Sequence, residues 1–395
     1  MKKTPAIVLG CHKIGLGIIR ALGIAGVPVI GVYYNDMDMG YASRYIIAHY
    51  KCPHPDKDDN AFVSFLIDLS SKWAGCVIIP SDDASLIPLA KHKTLLEKYY
   101  RVSACNWEVT EKVIKKKHTY AIADKIGVPC PKTSIPGTLE EAISFVKSVG
   151  LPCILKPIVG HIYFEKFKRK MLYIQNLNQL RNIYESGEIR DIEMMLQEFI
   201  PGDDTCGANY NSFFINEDVQ IEVTAEKVRL SPPKIGFPTV IVSKHIPEII
   251  EPGRKIIRGI GFKGFSCIEF KKDIRNGIYK LMEINGRQNL STPLSVKSGI
   301  NFPYMTYQYV LNGEIPKSQN SFKEGIYWID MGKDVVESLR GFKKEKLYFH
   351  NLFKPYLKPH VFAVMSMHDP LPVIKRYINI CLKLFKTIFS NTEYR

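Results

Sequence analysis

Glu269, Glu283, Asn285 and Arg287 stand on two short apolar runs within the stretch FSCIEFKKDIRNGIYKLMEINGRQNLS. Apolar runs are usually buried, so oxygen-bearing side chains on them need a reason. Two carboxylates and an amide oxygen make an all-oxygen donor set, which favours a hard cation. Mg2+ takes one or two carboxylates and leaves its other positions to water and phosphate oxygens. The competing explanation is a solvated hairpin face with scattered charges, because exposed glutamates are common.

The elements that would position these groups can be read locally. Phe265 to Lys272 and Ile278 to Asn285 alternate as strands, and Asp273 to Gly277 reads as the turn between them, its Asn-Gly pair tolerating positive φ. Simple antiparallel pairing sets Lys272 opposite Ile278 and Glu269 opposite Leu281. Leu281, Glu283 and Asn285 then share a face with Glu269, while Ile268, Phe270, Met282 and Ile284 point to a core. Glu269 and Glu283 become diagonal neighbours, roughly 7–8 Å apart at the backbone and within reach of one ion. Like charges that close repel unless a cation lies between them.

The chain has 395 residues, a formal charge of +15, 46% hydrophobic and 24% charged residues. That is ordinary globular composition with a bias toward anionic ligands. Nucleotides and an anionic membrane surface both suit that charge, while no Lys/Arg run interleaved with aromatics marks a nucleic-acid groove. The nine cysteines include no Cys-x-x-Cys pair and several lie in apolar strands. They read as core hydrophobes in a reducing compartment. MKKTPAIVLGCHKIG runs into a strand and a Gly turn rather than a signal-peptide core, and no apolar stretch is long enough to span a bilayer. The expected setting is cytoplasmic.

AIVLGCHKIGLGIIRALGIAGVPVIGVYY reads as strand, turn, helix and strand. With the buried strand CVIIPSDD and a strand at Arg101–Ala104, it forms a Rossmann-like domain over residues 1–110. Gly10, Gly15 and Gly17 open the helix, but Arg20 stands where a third glycine would complete the dinucleotide fingerprint. A tight turn without a dinucleotide fits better. Thr138 and Glu141 form a capping box for a helix that stops at Gly150. The strand LPCILKP then carries Lys156, which is either a snorkelling side chain or a phosphate ligand. IEMMLQEFIPGDDTC is a strand running into a Pro-Gly hinge. Such a hinge can present backbone groups to an adenine edge and an acid to a ribose.

In this order the pieces resemble an ATP-grasp enzyme, over about residues 1–315, and are most similar to the predicted ATP-dependent carboxylate–amine ligases. IEFKKD and LMEINGR are the most specific parts. The resemblance implies an α/β and α+β fold: the Rossmann-like domain, a two-lobe ATP-grasp domain (residues 111–190 and 191–315) and a C-terminal extension (316–395). It implies ATP with Mg2+, or Mn2+ in its place. Glu269, Glu283 and Asn285 fall at metal-ligand positions, and Arg287 near the γ-phosphate or acyl phosphate. Lys116 and Lys156 fall at the phosphate-binding lysines, with Lys117 an equal alternative to Lys116. Gln197 and Glu198 fall at the adenine-contacting acid and its neighbour, Phe199 and Ile200 at hinge backbone, and Asp204 at a ribose-binding acid. The loop after Lys156 departs from the glycine-rich pattern and is basic, with Lys166, Lys168, Arg169 and Lys170. Lys227 or Arg229, with Gly236, is expected to border the acceptor site, as are Ser81, Asp82 and Asp83.

The activity implied is ligation: a carboxylate attacks the γ-phosphate and the acyl phosphate is taken by an amine. Arg287 and Lys156 are the catalytic candidates, and a homodimer is an open expectation. A bicarbonate-using ATP-grasp carboxylase would share every nucleotide residue. A dinucleotide oxidoreductase leaves the Glu/Glu/Asn hairpin unexplained, and a non-catalytic nucleotide sensor leaves the full ligand set unexplained. In the tail, DPLPVIKRYINICLKLFKTIF predicts a helix. Val373, Ile374, Tyr377, Ile378, Cys381, Leu382, Leu384 and Phe385 form an apolar stripe flanked by Lys375, Arg376, Lys383 and Lys386. Two placements stand open, docking on the body and lying on a membrane surface.

Overall fold

Alternation along β1 (Ala6–Leu9) explains the first layer of the computed structural model, which describes residues 3–158, 171–187, 189, 192–234, 236–314, 321–342 and 349–390. Ala6 and Val8 join one core and Ile7 and Leu9 another. A strand buried on both faces belongs in a parallel sheet with helices on each side. β2 (Val29–Tyr33), β3 (Ile46–Lys51), β4 (Val77–Pro80) and β5 (Arg101–Val102) complete that sheet, all parallel, in the order β3-β2-β1-β4-β5. β5 is shorter than the expected Arg101–Ala104. The helix Lys13–Ile24 covers one face with Ile18, Ile19 and Leu22. The helix Asp59–Trp73 covers the other with Phe62, Val63 and Leu66. The helix Phe302–Asn312 returns from far along the chain to put Tyr307 into the first of these cores. The helix Trp107–Ile114 runs across residue 110, the expected domain boundary, and buries Val113 against residues of the third sheet.

The second sheet is antiparallel: β6 (Thr133–Ser134), β7 (Cys153–Pro157), β8 (Leu172–Ile174) and β9 (Met194–Glu198), in the order β6-β9-β7-β8. Cys153, Leu155 and Leu196 pack under the helices Leu139–Val149 and Leu177–Glu185. Thr138 caps the first of these helices, its hydroxyl accepting from Glu141 N–H at 3.2 Å, and Gly150 ends it at φ +84°. The basic segment with Lys166, Lys168, Arg169 and Lys170 lies outside the described residues.

The third sheet has seven strands: β10 (Gly207–Ile215), β11 (Asp218–Ser231), β12 (Phe237–Ser243), β13 (Gly264–Lys272), β14 (Tyr279–Asn285), β15 (Tyr327–Ile329) and β16 (His360–Phe362). Their order is β14-β13-β10-β11-β12-β15-β16. Residues 316–395 were expected to lie beyond the core, yet β15 pairs with β12 and β16 with β15. Trp328, fully buried beside Ile241 and Leu294, ties these edge strands to the sheet.

The β13–β14 hairpin departs from simple alternation twice. Ile278 is drawn into the turn, where its carbonyl accepts from Asp273 N–H at 2.8 Å, so Lys272 pairs with Tyr279 and Phe270 with Leu281. A bulge at Met282 then shifts the register again and sets Glu269 directly opposite Glu283. The first shift turns Leu281 into the core with Ile268, Phe270 and Ile284, correcting its expected place beside Glu269. The second returns Glu283 to the Glu269 face. A one-residue slip exchanges the faces of a strand, so two slips are needed to bury Leu281 and still pair the carboxylates. The bulge is held from outside the sheet: Tyr120 Oη donates to the Met282 carbonyl at 2.6 Å, and Leu281 N–H donates to the Pro129 carbonyl at 2.8 Å.

Candidate active site

Directly opposed carboxylates repel more than diagonal ones, and the fold answers each with a lysine. Lys227 Nζ, from β11, lies 2.5 Å from Glu269 Oε2. Lys116 Nζ, at the start of the helix Lys116–Lys125, lies 3.5 Å from Glu283 Oε1. The Lys227 stem crosses Gly207, where a Cβ would sit 2.7 Å from the lysine Cδ, so glycine is needed there. Burial would lower the Lys227 pKa, but Glu269 outweighs it and the net shift is upward. For Glu283, burial pushes the pKa up, while Lys116, then Arg287 and Lys156, outweigh it and hold the group below the ordinary carboxylate range. Lys117, the alternative to Lys116 in the lysine triplet, turns instead to Glu193 at 3.8 Å.

The donor set fits a hard cation. The Glu269 and Glu283 side chains keep 32% and 41% of their surface accessible, enough to receive an ion. Asn285 follows on β14, buried. Asn209 is the β10 partner of Glu269, and its buried Oδ1 has no hydrogen-bond partner among the described residues. Among the described residues no three His, Cys, Asp or Glu side chains cluster as a metal cage. A cation here would therefore meet two carboxylates and amide oxygens, the arrangement that leaves Mg2+ room for phosphates and water.

Lys156 approaches from the second sheet. Its Nζ donates to Gln197 Oε1 at 2.7 Å, lies 3.5 Å from Tyr120 Oη and sits 5.4 Å above the Tyr120 ring centroid. Gln197 also donates from Nε2 to Thr133 Oγ1 at 3.0 Å, so its amide serves the lysine and β6. Burial, then the Lys116 charge, lowers the Lys156 pKa to about 7. A glutamate at 197 would have supplied a counterion; glutamine does not. Tyr120 escaped the sequence reading, although it stands four residues after Lys116 and so on the same helix face.

The hinge residues divide. Glu198, on the opposite face of β9 from Gln197, has its carboxylate in an ion cluster with Arg275 and with Lys280 at 3.1 Å, both of which also bond Asp273. Its side chain thus clamps the hairpin turn to the hinge, at a position expected to contact the nucleotide. Phe199 meets Tyr173 edge-on at 5.2 Å, and Lys271 Nζ lies 5.3 Å over its ring, while Ile200 is buried. Asp204 accepts from Leu230 N–H at 2.8 Å and Lys234 N–H at 2.6 Å. Both oxygens hold the segment after β11, at the position expected to meet a ribose. Lys271, on the same β13 face as Glu269, was not singled out from sequence. Arg229 makes a fork to Asp334 at 2.7 Å on each arm, anchoring the helix Met331–Phe342.

Arg287 joins the hairpin to the first sheet: Nε donates to Asp83 Oδ1 at 3.0 Å and Nη2 to Oδ2 at 3.3 Å. Asp83 begins the helix after β4, and its neighbours build a polar cluster at the strand ends. His12 Nε2 lies 3.0 Å from Asp82 Oδ2 and 3.1 Å from Ser81 Oγ, and Tyr34 Oη donates to Asp82. The ends of parallel strands are where open α/β sheets place ligands. Arg287 and Gln288 also border a cavity of about 810 Å³ toward β5 and the helix Phe302–Asn312. Gln288 Nε2 and Thr306 Oγ1, both on its lining, are buried without hydrogen-bond partners among the described residues.

Comparison with known proteins agrees with this geometry. A family model described as ATP-grasp in the biosynthetic pathway with Ter operon matches residues 238–329, the span that holds the carboxylate hairpin. A D-aspartate ligase of Enterococcus faecium is 25% identical over 98% of this chain and 94% of its own length. The biotin carboxylase domain of Hydrogenobacter thermophilus 2-oxoglutarate carboxylase, solved with MgADP and bicarbonate, superimposes with a TM-score of 0.65 at 18% identity, over 82% of this chain and 74% of that one. An L-amino acid ligase from Bacillus licheniformis does so with a TM-score of 0.61 at 16% identity, over 79% and 75%. With its paired carboxylates facing two lysines and an arginine, the chain is similar to ATP-grasp proteins in sequence over residues 238–329 and to these carboxylase and ligase structures in fold.

Proposed function

We propose that the protein is an ATP-dependent carboxylate–amine ligase. The observation that carries this reading is the Glu269–Glu283 pair, set directly opposite by the Met282 bulge and surrounded by Lys116, Lys156, Lys227 and Arg287. The first sheet acts as a Rossmann-like domain, and the second and third sheets are the two lobes that hold the nucleotide between them. Lys116 and Lys156 bind phosphate oxygens, and the Phe199–Ile200 backbone lies along the base. Mg2+, or Mn2+ in its place, when held by Glu269, Glu283 and Asn285, would offset phosphate charge. Arg287, oriented by Asp83, stabilises the phosphoryl group in transfer, a reaction that depends mainly on positioning and electrostatics. A substrate carboxylate oxygen bonds to the γ-phosphorus as the bond to the β,γ-bridging oxygen breaks, and ADP leaves. The neutral amine then attacks the acyl carbon, inorganic phosphate leaves, and the amine proton passes to solvent.

The D-aspartate ligase relative makes aspartate enantiomers the first carboxylates to try. The cavity beside Arg287 falls in the size range of small-molecule sites and is where the second substrate should be sought. The nine cysteines, all free thiols, support a reducing cytoplasmic setting. ADP release that requires both a carboxylate and an amine is the expected result. Release that instead requires bicarbonate selects the carboxylase, whose structural relatives share the fold. Tight NAD binding without ATP binding would overturn the assignment.

A further inference from the structure

The last helix, Leu371–Ser390, is fastened to the body by the face opposite its apolar stripe. Just before it, buried Asp369 receives Arg20 Nε at 2.9 Å, Ser43 Oγ at 2.8 Å and Arg44 N–H at 2.9 Å. Val373 packs on the cluster that contains Trp328. Asn379, 7% exposed, donates from Nδ2 to the Asp36 and Asp38 carbonyls at 3.0 and 3.2 Å, and Lys375 lies 5.6 Å over the Tyr41 ring. Turned away from these contacts, Leu371, Ile374, Tyr377, Ile378 and Leu382 are each about half exposed, at 47–56%. Their three- and four-residue spacing makes one continuous helical face. Of the two placements left open by the sequence, docking on the body is met at one face of the helix, and among the described residues of the stripe only Val373 takes part in it. No helix among the described residues is long and apolar enough to cross a membrane.

We propose that this face seats the protein on an anionic membrane surface. Residues 371–390 contain Lys375, Arg376, Lys383 and Lys386 and no Asp or Glu. An apolar stripe of this kind enters the interfacial region of a bilayer, and the positive charge of a segment without Asp or Glu draws it toward anionic headgroups. Charge argues for this occupant over a second copy of the chain. Two such helices face to face would oppose like charges, on a protein that already carries +15. The proposal does not depend on the ligase reading.

Full-length protein should sediment with vesicles of mixed phosphatidylcholine and phosphatidylglycerol at low salt, and weakly with phosphatidylcholine alone or at high salt. Ile374→Gln/Ile378→Gln should lower the partition by at least about tenfold, since two half-exposed apolar side chains lose their burial in the interface. Its melting temperature should stay at that of the parent, because neither residue contacts the body core. Leu382→Gln, further from the docked end, gives the same readout should the double variant melt early. No sedimentation with anionic vesicles, or sedimentation that these substitutions leave unchanged, overturns the proposal. So does a concentration-dependent dimer, formed without lipid, that the double substitution abolishes.

Discussion

Replacing Lys156 with methionine tests the electrostatics of the site through protons. Lys156 has no ion pair among the described residues, and burial with the nearby Lys116 charge lowers its pKa from the ordinary 10.5 to about 7. An arriving triphosphate reverses this by supplying negative charge at the amine. If the bound state restores the ordinary value, nucleotide binding takes up about 0.5 proton at pH 7 and about 0.9 proton at pH 8. The same linkage makes affinity fall about tenfold between pH 8 and pH 9, where the free lysine is already neutral and must be recharged. For folding the sign is fixed likewise. Between pH 7 and 10.5 the unfolded chain binds more protons at this residue than the native one. Its contribution to stability therefore rises with pH across that window, and the cost is complete below pH 7. Calorimetry with ATP in two buffers of different ionisation enthalpy counts the protons. Lys156→Met should bind more weakly, take up almost none and lose the pH dependence. Proton uptake under about 0.2 in the parent at pH 8, or the same uptake in both proteins, would refute the reasoning.

Glu283→Gln should keep its fold and lose turnover, since removing a metal ligand costs several kcal/mol of charge stabilisation; a purified variant as active as the parent would exclude Glu283 from the metal site. Lys227→Met leaves Glu269 facing Glu283 without its lysine. Breaking a fully buried pair costs about 3–5 kcal/mol, and because Glu269 is a third exposed the loss here should be about 1–3 kcal/mol. Thermal melts should show that Mg2+ raises the melting temperature of this variant more than that of the parent; equal responses would count against a cation between the carboxylates. Asp204→Ala frees two backbone N–H groups. It should cost about 1–3 kcal/mol in denaturant titration with little change in nucleotide affinity, whereas weaker ATP binding at unchanged stability would place Asp204 at the ribose.

Much of the site was legible because its signals are local. A lysine inside an apolar strand, two carboxylates on adjacent strands and an Asn-Gly turn each show in a few residues, since β periodicity and turn chemistry act over short range. The helix cap at Thr138 and the stop at Gly150 were readable for the same reason. Register was not. The bulge at Met282 exists because Leu281 gains a core made by distant residues and Tyr120 satisfies the freed carbonyl, and neither partner is near in sequence. That Lys116 turns to Glu283 and Lys117 to Glu193 does not show in the triplet itself. Glu198 and Asp204 have the right chemistry for ligands, and their engagement by Arg275 and Lys280, and by the backbone after β11, shows only in the fold. The tail shows the division most plainly. Its sequence alone made the amphipathic helix, because spacing decides which side chains share a face. Which face meets the body was decided by Asp369, Val373 and Asn379 finding partners elsewhere in the chain, and a helix cannot record in its own periodicity where those partners will be.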